Sequence, residues 1–335
     1  MTARHNKRGI SAVAFVAAAM MLTACGGQQT TTQEPAGTSG DDCGAAAARM
    51  TIGTGNSTGV YFVLGGGISG LLNEETELAT TAVETGASVQ NIEGLVKGDY
   101  DIVFSLADTA ADAVSGTDAF SEPQPVEALG MIHSNYTQVI ARRDANITSI
   151  ADLAGRTVST GSPKSGTEVI ALRLLQSAGL DPDSDLTVQR LDLGTSVDGL
   201  RNGSIDAIFW SGGLPTPAIT ELFTTDSDSV EFVDITPLLS EMQDINGVYK
   251  EGVIPAAVYG LDADTPTIEV PNVLLVRDDF DPGAACDVVN VVWSNLEQLS
   301  TAHPAALTFS VENALASGPI PLNDGAQRAL EELAE

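Results

Sequence analysis

The residues best placed to do chemistry in this chain are small, neutral and gathered in two look-alike loops. Gly53-Thr54-Gly55-Asn56-Ser57-Thr58-Gly59 follows the short strand signal Met50-Thr51-Ile52 and leads into an apolar stretch over 60–72. Ser159-Thr160-Gly161-Ser162-Pro163-Lys164-Ser165-Gly166-Thr167 follows Arg156-Thr157-Val158 in the same way and opens a helical pattern that runs through Ala178. A loop of this kind between a strand and a helix offers hydroxyls and unpaired backbone N–H groups at the positive end of the helix, which suits an anion. Ser165-Gly166-Thr167-Glu168 also has the form of a capping box, which marks a helix start whether or not a ligand binds. Thr85-Gly86-Ala87-Ser88, ahead of Val89 and Ile92, is a third loop of the same type.

Other chemistries lack their residues. His133 and His303 are the histidines outside the N-terminal segment, and neither sits in a G-x-S-x-G or H-x-x-x-H context. No catalytic residue, metal site or cofactor is therefore expected. Gly53-x-Gly55 follows a strand, but Gly59 falls one residue late for a dinucleotide fingerprint, and the 161–167 loop lacks the G-K-[ST] order of a phosphate loop. With 45 acidic against 15 basic residues and a formal charge of −30, the surface repels nucleic acid. Hydrophobic residues at 43% against 18% charged give a globular composition, and 335 residues suffice for two lobes with separate cores.

The elements that must carry these loops repeat. Gly94-Leu95-Val96-Lys97-Gly98-Asp99-Tyr100-Asp101-Ile102-Val103-Phe104 is echoed by Gly199-Leu200-Arg201-Asn202-Gly203-Ser204-Ile205-Asp206-Ala207-Ile208-Phe209, 105 positions on, while Thr160 lies 106 positions after Thr54. In each copy a helix ends at a glycine suited to the left-handed position, and a buried strand follows. Strands alternating with helices in this way predict α/β lobes with largely parallel sheets and a site beyond the carboxyl ends of the strands. The lobes are expected at 45–135 plus 255–335 and at 136–254, with connecting strands at 136–142 and 270–277.

At the N-terminus Arg4, Lys7 and Arg8 precede an apolar run over 10–22, too short for an ordinary membrane span but laid out as an export signal. Leu22-Thr23-Ala24-Cys25-Gly26 resembles the lipobox of bacterial lipoproteins, which implies a signal peptide over 1–24 and lipidation of Cys25; the alternative is cleavage after Ala24 with a free thiol. Residues 25–44, rich in Gly, Gln, Thr and Ser, read as a flexible tether. Cys43 and Cys286 remain, and the exported compartment favours a bridge between them over two separate thiols.

Taken together, Ile52-Gly53-Thr54-Gly55 with Gly59-Val60-Tyr61, Thr85-Gly86-Ala87-Ser88-Val89-Gln90-Asn91, Leu153-Ala154-Gly155-Arg156-Thr157-Val158, Ser165-Gly166-Thr167, Gly213-Leu214-Pro215-Thr216-Pro217-Ala218, Ile254-Pro255-Ala256 and His303-Pro304-Ala305 resemble the TAXI family of solute receptors for TRAP transporters. The resemblance covers roughly 48–330. It implies a two-lobed, type II-like periplasmic-binding-protein fold, two doubly wound α/β lobes joined by hinge strands. It also implies a monomeric, lipid-anchored extracytoplasmic receptor, not an enzyme. Such a receptor closes on a small carboxylate such as glutamate or a dicarboxylate and delivers it to a TRAP membrane permease. A sensor of the same fold without a transport role is the alternative, ahead of a secreted enzyme. Carried over position by position, the ligand residues would be Thr54, Gly55, Ser57, Tyr61, Ser88, Asn91 and Ser105 from one lobe. The other lobe would give Ser162, Lys164, Ser165, Gly166, Thr167, Trp210, Ser211 and Gly212. Where many relatives carry an amide after the third strand, this chain has Leu106, which counts against a glutamate-like ligand.

Overall fold

The computed structural model describes residues 43, 44 and 46–335, so the expected signal peptide, the anchor Cys25 and nearly all of the tether lie outside the described residues. Strands form at ten places among the described residues, the most buried being the hydrophobic runs 102–106 and 207–212. They are β1 (Arg49–Gly53), β2 (Ala79–Val83), β3 (Ile102–Leu106), β4 (Val126–Arg142), β5 (Thr157–Ser159), β6 (Thr187–Gln189), β7 (Ala207–Gly212), β8 (Val230–Phe232), β9 (Lys250–Ile254) and β10 (Thr265–Arg277). One mixed sheet holds them in the order β2-β1-β3-β10-β4-β7-β5-β6, with β8 on β4 and β9 on β10. The helices that bear on the site are α1 (Val60–Glu75), α2 (Ser88–Lys97), α3 (Ala107–Ser115), α4 (Gly166–Ser177) and α5 (Leu193–Asn202).

The echo in the sequence is a duplication in space. β1 runs parallel to β2 and β3, and Ile52 stands opposite Ala82 and Ile102. β5 runs parallel to β6 and β7, and Val158 stands opposite Val188 and Ala207, each 105 or 106 positions on. Asp101 accepts from the Thr51 N–H at 2.7 Å, as Asp206 accepts from the Thr157 N–H at 2.9 Å. α2 ends at Gly98 (φ 82°) and α5 at Gly203 (φ 77°), left-handed stops that a β-carbon would strain. Gly94 and Gly199 admit the side chains behind those stops. A β-carbon would lie 2.4 Å from Tyr100 in the first copy and 2.5 Å from Ile205 in the second.

Between the copies run the two long strands. β4 and β10 are antiparallel neighbours, and each serves both halves of the sheet. Residues 136–141 of β4 pair with β7, whereas residues 272–275 of β10 pair with β3 and residues 265–269 with β9. Accordingly Leu129, Ile132, Leu274 and Val276 pack with Ile52, Leu64 and Phe104, while Val139, Ala141, Ile268 and Val270 pack with Leu174, Phe209 and Tyr249. The chain thus changes core twice, near residue 135 and near residue 271. Cys43 is disulfide-bonded to Cys286, which ties the segment ahead of β1 to the helix Pro282–Ser294. Among the described residues no helix is long and apolar enough to cross a membrane.

Candidate functional site

Three helix starts meet at one half-open cavity, where the carboxyl ends of β1, β3 and β7 face each other. Gly55, Asn56, Gly59, Val60 and Tyr61 bring the loop between β1 and α1; Gly86, Ala87 and Ser88 bring the start of α2; Ser162, Ser165, Gly166 and Thr167 bring the start of α4. Leu106 at the end of β3, Asn135 on β4, and Trp210, Ser211 and Gly212 on β7 complete the wall. The centre of a water-sized sphere has about 30 Å³ to move in, so the halves are drawn together around it.

Close approach explains the small residues. A β-carbon on Gly166 would lie 2.4 Å from Leu106 and 2.6 Å from the Ser88 hydroxyl of the other half, so only glycine lets these walls touch. Ala87 holds φ 74°, a conformation costly to a residue with a side chain, at the lip of the cavity. The duplicated loops also touch at equivalent places: the Asn56 side-chain amide donates to the Ser162 hydroxyl at 3.2 Å, the two residues being 106 positions apart.

No charged side chain lines the cavity among the described residues. The positive ends of α1, α2 and α4 dominate its electrostatics, each equivalent to roughly half a unit charge. Gly59 and Ala87 offer α1 and α2 no side-chain cap, whereas the Ser165 hydroxyl caps α4 by accepting from the Glu168 N–H at 3.0 Å. The Ser211 hydroxyl is buried without a hydrogen-bond partner. Behind the wall a relay of hydrogen bonds crosses both long strands. Tyr61 donates to Asn272, Asn272 donates to the Asn135 side chain at 2.9 Å, and Asn135 donates to the Ser211 carbonyl at 3.1 Å. Burial, with Asp108 adding to it, keeps the Tyr61 phenol protonated by pushing its pKa well up.

Of the residues expected in the site, Gly55, Tyr61, Ser88, Ser162, Ser165, Gly166, Thr167, Trp210, Ser211 and Gly212 line the cavity, while Thr54, Ser57, Asn91, Ser105 and Lys164 do not. Each of the five is engaged elsewhere. The Thr54 hydroxyl donates to the Val83 carbonyl at 2.6 Å, and Asn91 donates to the carbonyls of Thr54 and Phe104 at 2.7 and 2.8 Å. The Ser105 hydroxyl donates to the Leu106 carbonyl at 3.0 Å. Ser57 is exposed and its N–H meets Glu84 at 2.8 Å. Lys164 pairs with Glu93 of α2 at 2.8 Å, so it bridges the halves outside the cavity lining. Asn56, Gly59, Val60, Gly86, Ala87, Leu106 and Asn135 line the cavity without having been assigned there from the sequence.

Deeper between the halves, Arg173 of α4 is buried against α3. It donates to Asp108 at 3.1 Å, Asp112 at 2.6 Å and Tyr249 at 2.9 Å, and also to Asp118. Burial pushes the Asp112 carboxyl up to about 6, Arg173 opposing and Asp108 assisting the rise. Burial alone would drain charge from Arg173, but Tyr249 and the surrounding carboxylates raise its pKa.

A family model described as the NMT1-like family matches residues 52–333. Among solved structures, a protein of Bordetella bronchiseptica RB50 is 18% identical, with 87% of this chain and 99% of that one covered at a TM-score of 0.57. The binding protein component of an ABC phosphonate transporter from Pseudomonas aeruginosa is 13% identical, with coverage of 79% and 80% at a TM-score of 0.53. These likenesses show the fold, an open α/β sheet with flanking helices of the periplasmic-binding-protein type.

Proposed function

The chain belongs to the NMT1-like family, and from that premise we propose that it is an extracytoplasmic solute receptor which captures a small organic anion between two lobes. One observation carries the reading: three helix starts from both halves surround a cavity whose lining holds no charged side chain. An anion there meets the partial positive charge of each helix end, at up to ~2 kcal/mol per partly buried end, and hydrogen bonds of ~1.5–3 kcal/mol. Micromolar binding needs only about 8 kcal/mol net, so such a site suffices without an arginine or lysine. The overall charge of −30 does not prevent this, since exposed charges are screened beyond about 8 Å at physiological salt.

The lobes of this proposal are 46–135 with 271–335 and 136–270, because β10 leaves one core for the other only after Val270. They rock about β4 and β10, and the ligand shifts the open form toward the closed one by bonding to both at once. Lipidation at Cys25 holds the receptor at the membrane, and delivery is to a TRAP-type permease, the resemblance to TAXI receptors supporting that partner. The carbonyl-bonded Asn91 and Thr54 act as staples of the loop and not as ligand groups.

Small-angle X-ray scattering of the full chain in detergent, titrated with carboxylates, sulfonates and phosphonates, tests the closure. At least one anion is expected to reduce the radius of gyration, and Ser165→Leu is expected to abolish that compaction while the thermal melt persists. If no anion compacts the protein, or if Ser165→Leu responds like the parent, the receptor reading falls.

A further inference from the structure

The cavity lining also restricts which charges a ligand can bring, an inference that rests on the receptor reading above. Equivalent positions of the two halves supply opposite walls. Leu106 at the end of β3 and Ser211 in β7, 105 positions later, both face the cavity. Leu106 presents only hydrocarbon, and Val60 and Ala87 of the same half add apolar lining. Ser211, 7% exposed, holds a buried hydroxyl with no hydrogen-bond partner in the protein. One wall is therefore dry and the other has an unused polar atom.

The lining contains no aspartate or glutamate, so an ammonium group brought into the cavity would lose its water without gaining a counter-charge. It would also stand among the positive ends of three helices. Neither lysine nor arginine reaches the lining, because Lys164 is held by Glu93 and Arg173 by Asp108 and Asp112. A second carboxylate laid along the Leu106 wall would be equally unpaired. Space sets the third limit: about 30 Å³ for the centre of a water-sized sphere is room for roughly two or three waters by that measure. A compact acid fits this narrow cavity; a longer one would hold the halves apart.

We infer that the ligand is a compact monoanion without an amino group: an acid head at the helix starts, a hydrogen-bonding substituent toward Ser211, and an apolar flank against Leu106. Short hydroxy or oxo carboxylates and short hydroxyalkanesulfonates satisfy this description. Glutamate and dicarboxylates do not.

Isothermal calorimetry on the full chain in detergent, with lactate, isethionate, alanine and succinate as probes, tests the inference. Lactate or isethionate is expected to bind at least about tenfold more tightly than alanine or succinate, and the comparison of the first two separates a carboxylate head from a sulfonate head. Alanine or succinate binding as tightly as the better monoanion overturns the inference but leaves the receptor reading intact. Silence from all four overturns the inference, and silence together with no compaction by any anion in scattering overturns the receptor reading as well. Leu106→Gln supplies an amide on the dry wall and is expected to raise the affinity for succinate relative to the better-binding monoanion by about tenfold. An unchanged ratio, with both ligands still binding, removes Leu106 from the discrimination.

Discussion

The two halves of the sheet agree down to single backbone bonds, yet they finish their helix starts differently. α4 and α5 are capped by side chains: Ser165 accepts from Glu168, and Asp192 accepts from the Thr195 N–H at 3.0 Å. Their counterparts α1 and α2 begin at Gly59 and Ala87, which have no side chain able to accept. A side-chain cap typically contributes about 1 kcal/mol over alanine but only a few tenths over glycine, so the first half forgoes stability at both starts, chiefly at Ala87, and both times at the cavity. The carboxylate cap stands on α5, whose start does not line the cavity. Placed on α2, the same carboxylate would neutralise a positive helix end that an incoming anion needs.

Moving that cap is the severest way to break the comparison. Ala87→Asp puts at the start of α2 the residue that its counterpart Asp192 provides at the start of α5. Its carboxylate is expected to sit where a ligand acid group would, costing at least about a hundredfold in anion affinity by calorimetry. The melting temperature should change little, because the added cap offsets the strain at φ 74°. Full anion affinity in this variant would mean that the start of α2 plays no part in binding.

The next contrast lies in how each half staples its loops. Asn91 donates to the carbonyls of Gly53, Thr54 and Phe104 and accepts from the Thr85 hydroxyl at 2.6 Å, all in a fully buried setting. Ser196, 105 positions later, instead shares a 2.7 Å hydrogen bond with the Ser159 hydroxyl and donates to the Asp192 carbonyl. Asn91→Ala leaves several buried carbonyls unpaired and is expected to cost roughly 2–4 kcal/mol in urea unfolding; Ser196→Ala should cost about 1 kcal/mol. Equal losses would show that the two staples are interchangeable.

How much of this was legible beforehand follows the same division. The duplication could be read because glycines and aspartates at fixed offsets serve backbone needs that both copies share, such as the stops at Gly98 and Gly203. The helix starts could be read as well. Whether a hydroxyl or amide near such a start faces a cavity or the protein's own carbonyls could not, since both uses call for the same residue types; Thr54, Asn91 and Ser105 bond to carbonyls. Asn56 was within reach, because its partner Ser162 sits at the repeat offset. Asn135 was harder. Its role depends on β4 passing between the halves and on the registers that set it against Val270 and beside Gly212, and pairing of that range is not written in local sequence.

A smaller and pH-dependent effect concerns the buried cluster on Arg173, for which the first half supplies three carboxylates and the second half the cation. Asp112 titrates in the folded protein at about 6 instead of its usual 3.8. Between those values the folded form holds a proton that the unfolded chain has released, so this group's contribution to stability falls as pH rises from about 4 to 6 and is level above. Asp112→Asn removes that slope. The variant should gain up to about 1–3 kcal/mol on the parent near pH 7.5 and nothing below about pH 4. Burial pushes His133 down to about 3, with His303 adding to the shift, so His133 acts in the opposite sense over the same range. Only the difference between variant and parent, measured at each pH, isolates Asp112. A constant difference across the series would place the proton on another member of the cluster.

The least effect is expected where the halves meet in water. Lys164 reaches Glu93 across the outer edge of the cleft, with the lysine side chain 58% exposed and the glutamate 29%. The corresponding position in the first loop is the exposed Thr58, so the pair has no twin. Ion pairs of such exposure contribute about 0–1 kcal/mol and are screened by salt. The Lys164 backbone keeps its own bonds, its carbonyl accepting from the Gln90 N–H at 3.1 Å and its N–H donating to Glu168 at 2.7 Å. Lys164→Ala is therefore expected to weaken anion binding by no more than about threefold at low salt, through loss of closed-form stability alone. Parent and variant should converge near 0.5 M salt, where the screening length falls to about 4 Å. A loss much above tenfold that survives high salt would mean that the lysine touches the ligand, and the neutral lining on which the monoanion argument depends would have to be abandoned.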